Sequence, residues 1–178
     1  MPFTPYHFGP GLLVKAALPR HCSFGAFVAT QVVIDCETLY HMLRHEYPLH
    51  RLMHTYVVAT VVGVGSGLVL FVAMRGVRRL AAQHDAANRW LLRWRAAETS
   101  LNAAVCGGMI GGISHVWLDS MMHSDIRPGW PFSQTNPMLG ATPIETLHSG
   151  CVAAGILALL LVAVREFARR GRAPDRKN

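Results

Sequence analysis

Two pairs of side chains in this chain have the type and spacing to share a metal ion. His50 and His54 stand four residues apart, as do His115 and Asp119. Residues at i and i+4 lie on one helix face, so each pair can grip one ion or two adjacent ions. Asp35, in Ile34-Asp35-Cys36-Glu37, adds a carboxylate at the end of an apolar run, and Gly111, His115 and Asp119 continue one stripe. Imidazole and carboxylate donors together suit zinc, manganese or iron better than calcium or magnesium, which prefer all-oxygen sites. Cys22, Cys36, Cys106 and Cys151 occur singly, which argues against a closed thiolate site and for buried free thiols. An open mixed site lowers the pKa of a bound water and makes hydroxide available near neutral pH. The cofactor expected is one to three divalent ions, zinc first, with manganese or iron as alternatives. Asp35, His115 and Asp119 are the candidate catalytic centre.

Such donors need rigid elements that end at a common level. The 178 residues are 51% hydrophobic and 15% charged, where a soluble domain carries about 25% charge. Residues 56–74 and 147–164 contain no Asp, Glu, Lys or Arg, and each has about the length that crosses a bilayer core, roughly 20 residues. Residues 99–118 are also free of these residues, with His115 near the end. There Gly107, Gly108, Gly111 and Gly112 form two overlapping GxxxG patterns that let helices approach closely. Residues 22–34 are too short to span alone, but no proline interrupts a helix before Pro48.

The expected fold is therefore an all-α polytopic membrane bundle, one domain over 1–170, with spans at about 22–43, 55–75, 99–119 and 143–165. A half-length helix over 9–18 precedes them, ended by Pro19. A basic interfacial helix follows at about 78–95, where Leu80, Leu91 and Trp94 interleave with arginines, and residues 171–178 form a basic cytoplasmic tail. Thr142-Pro143-Ile144-Glu145 supplies an N-cap, a proline at the first helical position and a capping glutamate for the last span. The start has no basic n-region and carries Pro2, Pro5 and Pro10, unlike a cleaved signal peptide, so His7 is expected in the mature protein.

Threading the spans alternately puts Lys15, Arg20, the arginines of 75–95 and the basic residues of 165–177 on one side, leaving only Arg44, Arg51 and Arg127 on the other. By the positive-inside rule the first side is cytoplasmic, the C-terminus with it. The same threading carries His7, His41, His45, His50, His54, His115, His123 and His148 to the outer face with Asp35, Glu37, Asp119 and Asp125. Only His21 and His84 fall elsewhere. Ionisable groups at membrane depth are functional by default. His41 and His45, beside Arg44 and Glu46, read as a solvated surface. Glu37, His123, Asp125 and His148 are candidate additional ligands or substrate contacts. The net charge of +7 could attract nucleic acid. The arginines instead track membrane-flanking loops without a nucleic-acid-binding motif, so no such partner is expected. A soluble bundle is disfavoured because three long uncharged runs are hard to enclose.

In order, His7 with Gly9 and Gly11, Ile34-Asp35-Cys36-Glu37, His50-Arg51-Leu52-Met53-His54-Thr55, Ser114-His115-Val116-Trp117-Leu118-Asp119 and Gly129-Trp130-Pro131-Phe132 resemble the bacterial membrane-bound metal-dependent hydrolases. These are small inner-membrane proteins that include LexA-regulated members. The resemblance covers about 7 to 132. Where that family commonly shows Pro-Asp-x-Asp-His, this chain has Ile34-Asp35-Cys36-Glu37-Thr38, and its two histidines at 50 and 54 are four apart rather than five. The family's ligand pattern is similar to that of zinc phospholipase C. The resemblance thus implies phosphoester hydrolysis at the outer face of a bacterial inner membrane, with His7, Asp35, His50, His54, His115 and Asp119 as metal ligands.

The leading expectation is a metal-dependent hydrolase of a lipid or lipid-linked phosphoester, with Arg127 or Arg51 holding the phosphate. The alternatives are a non-catalytic membrane protein that binds or senses metal or pH, and a structural bundle whose histidines satisfy one another. Transport is disfavoured because few polar residues, such as Ser66 and Asn102, lie in the inner halves of the spans.

Overall fold

The computed structural model describes residues 5–83 and 100–171, and every regular element among them is helical. A 3-10 turn, Pro5–His7, leads into α1 (Phe8–Ala17), followed by α2 (Phe24–Leu43). A second 3-10 turn, Leu52–His54, precedes α3 (Tyr56–Gln83), and α4 (Leu101–Met122) and α5 (Ile144–Gly171) complete the order. Ser23 caps α2 by accepting from Ala26 N at 3.0 Å, and its own N–H donates to Ala103 O at 2.8 Å, which ties the start of α2 to the start of α4. After α1, Lys15 Nζ gathers the carbonyls of Pro19 and Cys22, and Arg165 of α5 donates to the carbonyl of Ala16.

Three stretches are long and apolar enough to cross a membrane: Tyr56–Arg79, Leu101–Met122 and Ile144–Arg170. Half of the α4 window is buried, against 17% for α3 and 11% for α5. So α4 is the internal helix, while α3 and α5 turn apolar side chains such as Val69, Val72, Leu159 and Val164 outward. That exterior suits lipid. α2 has 20 residues but buries Thr30, Gln31, Asp35 and Thr38.

The glycines of α4 explain its position. Gly107 and Gly111 face α2, where a Cβ would meet the Ser23 carbonyl and, at 2.8 Å, the Phe27 carbonyl. Gly108 and Gly112 face α3, where it would meet the carbonyls of Gly63 and Ala59. The two GxxxG patterns are thus two faces, one for each neighbour, and backbone rather than side chains fills both seams. α5 packs mainly on α1.

Chain direction alternates as expected. Lys15, Arg75, Arg79, Arg165 and Arg169 fall at one end of the bundle, and Arg44, Arg51 and Arg127 at the other with His7, His50, His54, His115 and His123. The short helix expected over 9–18 is α1, and the last helix begins at Ile144, with Leu147 N bonded to Pro143 O. The interfacial helix expected from 78 does not begin there, because α3 runs unbroken through Arg78 and Arg79 to Gln83. No breaker interrupts residues 64–83 beyond Gly65, Gly67 and Gly76, which a helix tolerates. The rest of that element, with Arg89, Arg93, Arg95 and Trp94, lies outside the described residues, as do residues 172–178 of the basic tail.

Gly108→Ala drives a methyl into the Gly63 carbonyl, whereas Gly65→Ala meets nothing within 4 Å. Thermal unfolding in detergent should show Gly108→Ala destabilised by about 1–3 kcal/mol and Gly65→Ala unchanged or slightly stabilised. Equal behaviour of the two variants would contradict the backbone seam.

Candidate metal centre

Four elements meet at the histidine-bearing end. α2 brings Asp35, α4 brings His115 and Asp119 one turn apart, and the 3-10 turn before α3 brings His54. One donor atom of each lies within 4.8 Å of the others, and all four residues are buried. His115 Nε2 stands 3.3 Å from Asp119 Oδ2 and 3.5 Å from Asp35 Oδ1, and His54 Nε2 is 3.8 Å from the same Asp119 oxygen. From the turn before α1, buried His7 places Nε2 3.1 Å from Asp119 Oδ1. Asp119 is therefore the carboxylate on which three imidazoles converge.

Other side chains aim these imidazoles. Gln31, one turn before Asp35 on α2, accepts from His115 Nδ1 through its Oε1, which puts the proton on Nδ1 and turns Nε2 toward the carboxylates. Glu37 accepts from His54 Nδ1 at 3.1 Å and from the backbone N–H groups of Arg51 and Met53 at 3.0 and 3.1 Å. Glu37 is not among the donors that gather within 4.8 Å of one another, so this candidate additional ligand orients His54 instead, as partners of ligating histidines do. Thr38 Oγ1 lies 3.5 Å from His54 Nε2.

The expected helical pairing of His50 with His54 does not form, because α3 begins only at Tyr56: His50 lies in an irregular stretch and His54 ends the 3-10 turn. Their rings still meet edge-on at 4.6 Å. His50 joins a second group with His123 and Asp125: its ring stacks on His123 at 4.3 Å, and its Nδ1 lies 2.9 Å from Asp125 Oδ1. Asp125 Oδ2 accepts from the N–H groups of Leu49 and His50. Burial works to raise the Asp125 carboxyl, but the His50 amide and ring and the Leu49 amide outweigh it and hold it below its usual range. Burial, aided by neighbouring His50, pushes His123 down to about 4 against the pull of Asp119, which leaves this imidazole unprotonated at neutral pH.

Beside the second group opens a pocket of about 380 Å³, lined by His50, Arg51, Asp125, Arg127 and Trp130 among others. Arg51 is tied to Pro48 O and Glu46. Arg127 donates to the neutral Gln134 amide at 2.7 Å. His148 stacks on Tyr6 at 4.2 Å and joins neither group. His41 is part-buried against Glu46, which it bonds at 2.8 Å, and His45 is exposed; neither joins the two groups. Sequence reasoning passed over Gln31 and Thr38; a lone amide four residues before Asp35 in an apolar run was the signal for the first.

The buried side-chain atoms without a hydrogen-bond partner, among the described residues, are both ring nitrogens of His7, His115 Nε2, Asp119 Oδ1 and Gln31 Nε2. His7 and His115 approach Asp119 closely but out of hydrogen-bonding line. Orphaned polar atoms at such depth are costly. Their concentration on imidazole and carboxylate donors turned toward one another makes a group that could hold a metal ion.

The model of a family described as Domain of unknown function (DUF4184) matches residues 1–178. No curated protein and no solved structure matches the chain.

If Gln31 and Glu37 aim the histidines, Gln31→Leu and Glu37→Gln should bind zinc about 10–100-fold more weakly in competition titrations while keeping their helical content. His148→Ala should bind it as the unaltered chain does. An unchanged affinity in both positioning variants would contradict the assignment.

Proposed function

We propose that this chain, which belongs to the DUF4184 family, is a membrane-embedded metal-dependent hydrolase of a phosphoester in a lipid or lipid-linked substrate. The observation that carries this reading is the buried convergence of Asp35, His54, His115 and Asp119, flanked by His7, with orphaned donor atoms on three of these five residues. These five residues hold the ion, zinc in the first instance with manganese or iron as alternatives, and Gln31 and Glu37 keep its ligands aimed. A divalent ion held there polarises a phosphoryl oxygen and brings the pKa of its water toward neutrality.

The remaining tasks fall to the chain's own residues. Arg127, which meets no carboxylate among the described residues, offers its guanidinium to the substrate phosphate. Arg51 stands on the same pocket wall, held by Glu46. The apolar exteriors of α3 and α5 support a membrane setting and, with it, a lipid-borne substrate over a freely soluble one. In this reading α2 is a fourth span, its polar face turned to α4 and its charged end at the membrane surface. The concentration of arginines and Lys15 at the opposite end supports an orientation with that end and the C-terminus in the cytoplasm. The pocket then faces outward from a bacterial inner membrane. The basic residues flank the membrane, and no nucleic-acid partner belongs to this reading.

Protein purified in detergent without chelators should contain bound transition metal by elemental analysis, and His115→Ala and Asp119→Ala should lose it. Hydrolysis across phospholipid and isoprenoid-phosphate substrates should disappear on chelation and return with zinc. Arg127→Ala should raise KM with kcat nearly unchanged, the mark of a binding contact. Wild-type protein without metal would sink the proposal.

A further inference from the structure

We infer that His50, His123 and Asp125 form a second, shallower site for a divalent metal ion, separate from the buried cluster and opening into the arginine-lined pocket. Three observations carry this. One donor from each residue lies within 4.8 Å of the others, and none of the three belongs to the buried group. His50 Nδ1 and Asp125 Oδ1 share a proton at 2.9 Å, and ligands about 2.0–2.2 Å from a metal stand about 3 Å apart at a right angle and about 3.4 Å at the tetrahedral angle, so an ion replaces that proton with only a small opening of the pair. His123 is carried to the same point by the chain leaving α4, where Asn136 Nδ2 bonds its carbonyl at 3.2 Å and leaves its ring to stack on His50.

The pocket supplies the chemical reason. Its wall carries Arg51 and Arg127 but also the carboxylate of Asp125. That carboxylate repels a phosphate brought in by the arginines. A divalent ion on Asp125 reverses the local sign and turns the same wall into a continuous cationic surface, which recognises a phosphate group. His50 touches His54 edge-on at 4.6 Å, so the second site abuts the first on its substrate side. The two differ in depth, because His54 and His115 are fully enclosed while His123 and Asp125 are only partly buried. The shallower ion therefore exchanges more readily. Its part in substrate recognition rests on the hydrolase reading above, whereas its existence does not.

The test is the zinc stoichiometry of the purified, metal-stripped full chain, measured by equilibrium dialysis and elemental analysis. Wild type should take up two ions of unequal affinity. His123→Ala and the bulkier His123→Gln should each retain only the tighter ion, with weak-site affinity reduced more than 100-fold. The exposed His45→Ala at the same end of the bundle should keep both. Elution volume and melting temperature certify the fold of each variant, and whichever His123 variant is folded decides the outcome. Wild type holding a single ion that His123 replacement leaves in place overturns this inference alone. Two ions retained after His123 replacement also overturn it. No ion in wild type overturns both this site and the proposed function.

Discussion

Everything at the site depends on how closely α4 lies against α2 and α3. In a membrane, the apolar effect does not drive one helix onto another, and close backbone packing has to do so. Gly107 and Gly111 give α4 a bare face toward α2, and Gly108 and Gly112 one toward α3, with Gly63 and Gly67 answering from α3. Only at such a separation can short side chains meet. Asp35 of α2 extends a carboxyl no more than two bonds from its backbone, yet it comes within 3.5 Å of His115 Nε2 on α4. The glycine seam lies on the turns immediately preceding His115, so packing and chemistry share one helix and one register.

Regular helices cannot place His50 and His54, because the stretch between α2 and α3 lacks a repeating hydrogen-bond pattern. Two carboxylates take over that role. Asp125 accepts from the amides of Leu49 and His50 at one end of the segment, and Glu37 from those of Arg51 and Met53 at the other. Each acid also takes the Nδ1 of one histidine from the strip it holds. Backbone and ring are thus fixed by the same anion, which satisfies amides that a part-buried stretch would otherwise leave unpaired. Beneath them Ile34, Ala59 and Val116 close the apolar floor, with Met53 and Tyr56 packed on it.

What could be read from the sequence was what helical periodicity encodes. The apolar runs, the two GxxxG faces and the i, i+4 relation of His115 to Asp119 are local properties, and the structure contains each of them. The level at which the histidines gather followed from alternate threading of those runs. The relation of His50 to His54 was misread because the same spacing has meaning only inside a helix, and α3 starts at Tyr56, beyond both residues. The clamp on His50 comes from an acid 75 residues away, which no local pattern announces. Gln31 escaped notice for the opposite reason: an uncharged amide barely disturbs an apolar helix, although its partner makes it part of the site. The separation of His50 from the buried group, and its union with His123 and Asp125, are likewise products of tertiary contact.

α5 poses a different question, since it packs little on α4 and shows most of its surface outward. Its contribution runs through α1. Gly9 of α1 lies so close to α5 that a Cβ there would strike the Cys151 carbonyl, and Arg165 of α5 binds the carbonyl at the far end of α1. On its other side, Gly11 leaves room for the Phe27 ring of α2. The half-length helix is thus wedged between α5 and the central bundle at both ends, while Tyr6 stacks on His148 just ahead of it. A ten-residue helix is marginal by itself, and this wedging is what holds the preceding turn, and so His7, against Asp119. The long outer helix therefore acts on the site through the short one, which explains why a chain with so few elements uses one of them for a histidine that enters from outside the three-helix core.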